Sequence, residues 1–118
     1  MLFFLEDGNV KLEKKYTDGH LALAMRGELD QHTAPQVYRE LESAMDRYLP
    51  RSCALDLSRL SFMDGSGIAV VLRLRKKAGE TGGKFWLEDP APQPLRVLTA
   101  SGIGRLVKIE NRKGSTNK

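Results

Sequence analysis

The chain is short of several residue types. It has one cysteine, Cys53, in 118 residues, so it forms no internal disulfide and no cysteine-only metal site. A reduced, cytoplasmic compartment is the expectation. It has two histidines, His20 and His32, too few for a histidine cluster that binds metal, and no metal or cofactor is expected. Long apolar runs are missing, so no membrane span is expected. Met1-Leu2-Phe3-Phe4-Leu5 is followed at once by Glu6-Asp7 and does not read as a signal peptide. No Gly-x-Gly-x-x-Gly, no Gly-Lys-Ser/Thr and no Gly-x-Ser-x-Gly is present. No Ser/His/Asp order and no paired acid and base stand out, so an enzyme is not expected.

What is present suits one globular domain over residues 1–118. Its core spans about 9–110, and a polar tail follows over 111–118. Hydrophobic residues make up 41% of the chain, and the net charge is +4. The charge is uneven: residues 1–50 carry 6 basic and 9 acidic side chains, residues 51–118 carry 13 and 6. Aromatic and basic residues do not interleave, so nucleic acid is not the expected partner.

Periodicity supplies the elements. Val10–Lys14 alternates apolar and polar, and Asp18-Gly19 joins it to His20–Arg26 as a β-hairpin. Leu2–Leu5 is a weaker first strand. Thr33 and Pro35 open a helix over 33–48, whose stripe is Val37, Leu41, Ala44, Met45 and Tyr48. Residues 52–57 read as a central strand, followed by a loop. A second helix runs over 65–79 with Ile68, Val71, Leu72 and Arg75 on one face. Then come a strand at 84–88, a short helix near 93–100 with Leu95, Val97 and Leu98 inward, and a strand at 106–109. Strands alternating with helices predict an α/β fold. It is one mixed sheet with an N-terminal antiparallel hairpin, a parallel remainder with right-handed crossovers, and helices mainly on one face. Trp86 is expected in the core or, as the alternative, lining a partner surface.

The loop before the second helix holds Asp64-Gly65-Ser66-Gly67. Asp64 or Ser66 is suited to cap that helix. The first N–H groups of the helix have no intrahelical partner and favour a negative group beside Ser66.

Here the sequence resembles the STAS domains of bacterial anti-sigma factor antagonists. Residues 60–68, Leu-Ser-Phe-Met-Asp-Gly-Ser-Gly-Ile, are similar to that family's central motif. Residues 26–34, Arg-Gly-Glu-Leu-Asp-Gln-His-Thr-Ala, are similar to its strand-end segment. Residues 95–103 are a weaker match to its last helix. The resemblance implies a STAS-like fold and a switch. Such an antagonist binds a serine-kinase-type anti-sigma factor and frees a sigma factor. It is turned off by serine phosphorylation in the central loop, and a phosphatase resets it. The implied partner-binding residues are Asp30, His32, Thr33, Met63, Asp64, Gly65, Ser66 and Gly67.

The family's acceptor follows the motif aspartate, and that position here is Gly65, with Ser66 one place later. Three outcomes stay open: Ser66 is the acceptor, the protein is never phosphorylated, or its partner is not a kinase. Ser66 is the expected acceptor. The alternative is a non-phosphorylated STAS subunit of a signalling scaffold or a lipid-transport complex.

Overall fold

In a computed structural model, the backbone is described for residues 2–4 and 10–112, and side chains for 10–112. The described elements, in chain order, are β1 (Leu2–Phe4), β2 (Val10–Thr17), β3 (His20–Leu29), α1 (Ala34–Tyr48), β4 (Ser52–Met63), α2 (Gly65–Glu80), β5 (Lys84–Glu88), α3 (Pro92–Ser101), a 3-10 turn (Ile103–Arg105) and β6 (Lys108–Glu110). They build one mixed sheet with its strands in sequence order, β1 to β6. β1–β2 and β2–β3 pair antiparallel, and β3–β4, β4–β5 and β5–β6 pair parallel. The expected α/β architecture is therefore present. Residues 113–118 of the polar tail lie outside the described residues.

The hairpin forms for the reason its sequence suggests. Asp18 and Gly19 both adopt positive φ, 51° and 85°, as a two-residue turn of mirror-image type requires. Strand alternation then sends Leu21, Leu23 and Met25 to one face, where they meet Cys53, Leu55, Leu57 and Leu87. The helices close over that face. α1 contributes Val37, Leu41, Ala44 and Met45, and α2 contributes Val70, Val71, Leu74 and Ala78. Cys53 sits inside this core, and burial pushes its thiol up to about 12. A thiolate is then about one part in ten thousand at pH 8. Cys53 is expected to resist alkylation by iodoacetamide in the native protein and to react only on unfolding, followed by intact mass.

Several expectations change. β4 runs to Met63 instead of stopping at Leu57, so 58–63 is strand, not loop. A register shift against β3 breaks its alternation, and buried Leu57, Leu60 and Met63 fall three apart. β3 likewise continues past Gly27 (φ 108°) to Leu29. On α2 the buried stripe is Gly67, Val70, Val71, Leu74 and Ala78. Arg75 is exposed, and its Nε donates to the Leu106 carbonyl at 2.9 Å. The C-cap of α2 is Thr81. Leu95 is 40% exposed; Pro94 and Leu98 are buried, and Val97 packs half-buried against the core as expected. The last strand starts at Lys108 because a 3-10 turn occupies 103–105.

Trp86 is not in the core. It lies beside Ala54 on the opposite face of the sheet, half-buried. There it stacks on His20 with centroids 5.5 Å apart, and its indole N–H donates to Glu88 at 2.9 Å.

Candidate functional site

The two motif segments come from the carboxyl ends of adjacent parallel strands. β3 delivers Asp30, His32 and Thr33, and β4 delivers Met63 and the start of α2. The Asp64 N–H donates to the Leu29 carbonyl at 3.2 Å, which fastens one loop to the other. This edge of an open α/β sheet is where ligands usually meet the fold.

The first loop is held by its own side chains. Asp30 Oδ1 accepts from the N–H groups of His32 (2.9 Å) and Thr33 (3.0 Å). Thr33 Oγ1 accepts from the Asp30 N–H at 3.1 Å and donates to the Glu28 carbonyl at 3.0 Å. The bonds from Thr33 and His32 hold the Asp30 carboxyl below its usual range, against a smaller opposing effect of burial. Thr33 stands at the N-cap position of α1 but makes no capping bond of the ordinary kind. Its hydroxyl is turned back to the β3 end instead.

The second loop is a capped helix start. Asp64 has extended dihedrals, and its carboxylate accepts from the Ser66 N–H at 2.8 Å. Gly67 is required by packing. A Cβ there would lie 2.5 Å from Met63 Cγ and 3.1 Å from Leu29 Cδ2. Gly65 is different: a Cβ would meet nothing within 4 Å, and the residue is helical.

The sequence-derived residues therefore divide. Gly65 and His32 are exposed, and Asp30, Asp64 and Ser66 are half-buried. Thr33 and Met63 are 0% exposed and Gly67 is buried. These three are buried in the isolated chain. They form the support beneath the exposed and half-buried residues.

One residue escaped the sequence reading. Gln93, in the first turn of α3, grips the peptide groups of Met63 from both sides. Its Oε1 accepts from the Met63 N–H at 2.8 Å, and its Nε2 donates to the Met63 carbonyl at 3.0 Å. Both bonds together stand in for a missing strand neighbour, since β5 pairs with β4 only as far as Asp56. Its only trace in the sequence is a polar residue between Pro92 and Pro94.

Comparison with known proteins agrees with this geometry. The STAS domain family matches residues 11–115, and the chain belongs to that family. Its anti-sigma factor antagonist branch is the one it resembles. An anti-sigma F factor antagonist of Paenibacillus polymyxa is 33% identical over 101 residues, covering 86% of each chain. A structure of the anti-sigma factor antagonist SpoIIAA in its unphosphorylated form superposes with a TM-score of 0.74 at 24% identity, covering 87% of this chain and 89% of that one. The phosphorylated form of the Bacillus cell fate determinant SpoIIAA gives 0.67 at 25% identity, covering 87% and 92%.

Proposed function

We propose that this protein is an anti-sigma factor antagonist of the cytoplasm. It docks on a serine-kinase-type anti-sigma factor, frees the sigma factor held there, and is turned off by phosphorylation of Ser66. A phosphatase would reset it. The observation that carries this is the Leu29–Asp64 fastening. It sets Asp30, His32, Asp64, Gly65 and Ser66 on one small surface over a buried support. Phosphorylation would add roughly two negative charges to that surface. A phosphate on Ser66, at the second position of α2, would be stabilised by the helix start, so modification would not unfold the loop. Its effect would fall on docking, through charge that the partner leaves unpaired. Among the described residues no helix is long and apolar enough to cross a membrane.

Capture of partners from native lysate, followed by mass spectrometry, tests the reading. It predicts a kinase-like anti-sigma factor, with residues 63–68 protected in the complex. Recovery of a complex that leaves 63–68 open to solvent would remove it. Ser66→Asp is expected to weaken that complex at least tenfold, about 1.4 kcal/mol, by calorimetric titration. Gly65 favours a second reading, a STAS subunit of a signalling scaffold or a lipid-transport complex with no kinase. Recovery of such an assembly, with unmodified Ser66 throughout, would select it.

A further inference from the structure

The face of the sheet opposite the helices carries its charges in bands. One row across the strands reads Glu13, Ala24, Asp56, Glu88 and Glu110. The next row, toward the carboxyl ends of β3 and β4, reads Lys11, Arg26 and Arg59. Like charges directly across a sheet repel. In the acidic row the cost is relieved: Glu88 accepts from Trp86 and pairs with Arg112, and Glu110 pairs with Lys108 at 2.9 Å. In the basic row Arg26 and Arg59 are neighbours on adjacent strands. Both are exposed, and neither guanidinium has a hydrogen bond or ion pair among the described residues.

Their adjacency is built by a bulge. Ala24 faces Asp56 but Arg26 faces Arg59, so β4 carries one extra residue there. The Ser58 N–H donates to Asp56 Oδ1 at 2.8 Å and fixes the distortion. Bulges of this kind re-aim side chains. Here the result places Arg59 beside Arg26 rather than away from it. The two line a groove of about 160 Å³ with Lys11, Ser58 and the carboxylates of Glu13 and Asp56.

We propose that this groove binds a small phosphate monoester, with its oxyanion held by Arg26 and Arg59. Two guanidinium forks on neighbouring strands suit the several oxygens of one phosphate. The two guanidinium groups lie together in its lining, where a single compact anion can meet both. The acidic row bounding the groove turns away an extended polyanion such as a nucleic-acid strand, whose next phosphates would run onto Asp56 and Glu88. The site is separate from the surface around Ser66 and does not depend on its phosphorylation.

The test is a ¹⁵N NMR titration of the full chain with glycerol 3-phosphate, against glycerol and against sodium chloride at matched ionic strength. Saturable shifts are expected at residues 24–27 and 56–59 with glycerol 3-phosphate alone. Inorganic phosphate should give the same pattern. Arg26→Gln and Arg59→Gln should each weaken binding at least tenfold, and Arg59→Lys should weaken it less. Both arginines are exposed, and unchanged spectra elsewhere would show the fold intact. Shifts that chloride reproduces, that fail to saturate, or that survive both glutamine variants would overturn the proposal. No partner protein is needed, so the outcome is independent of the anti-sigma reading.

Discussion

Gly65→Ser is expected to convert this protein into a strong kinase substrate. A Cβ at residue 65 meets open space, and the residue is already helical, so serine enters without moving its neighbours. The new hydroxyl would follow Asp64 directly and stand on the exposed rim of the loop. With the captured anti-sigma factor and ATP, intact-mass analysis should show one phosphoryl group arriving at least tenfold faster than on the parent. The double variant Gly65→Ser, Ser66→Ala separates the two hydroxyls. If it is modified and the parent is not, the hydroxyl is the only thing the loop lacked. If neither is modified, the partner is not a kinase acting on this loop. Stability should hardly change, because a serine in the first turn of a helix is well tolerated.

The neighbouring glycine should behave in the opposite way. Gly67→Val is expected to destabilise the fold by about 1–3 kcal/mol, the usual cost of overpacking a filled core. The added carbons would enter the space held by Met63 Cγ, Met63 Sδ and Leu29 Cδ2. Leu29 and Met63 are both 0% exposed, so neither has solvent to retreat into. Urea denaturation reads the effect as a lower midpoint. Gly67→Ala should cost less, because alanine gains up to about 1 kcal/mol over glycine inside a helix. An unchanged midpoint for valine would mean that the first turn of α2 does not rest on the strand ends. Two glycines two residues apart thus have separate jobs, one a vacancy and one a fit.

The hairpin, α1 and the start of α2 were legible in the sequence because each rests on local chemistry. Asp18-Gly19 demands its turn, Asp64 caps its helix, and the stripe from Val37 to Met45 has one period throughout. The second half of β4 was not legible. Its bulge breaks the period of two, and Ser58-Arg59 imitates a loop. Trp86 was misplaced because residue size suggests burial, whereas its face depends on which side of β5 the helices cover. The loop residues Asp30 and Ser66 were found through their resemblance to STAS proteins. Their division into surface and support needed the third dimension. Gln93 had no signal of spacing at all, since its partner Met63 lies thirty residues away.

The cross-bracing of the 30–33 turn has a consequence for association. Asp30 and Thr33 already satisfy one another and the backbone around them. A partner arriving at this turn finds little torsional freedom left to freeze, so the entropy of ordering is spent during folding rather than at encounter. Contacts made there by a docking partner would translate into lifetime of the complex with small loss.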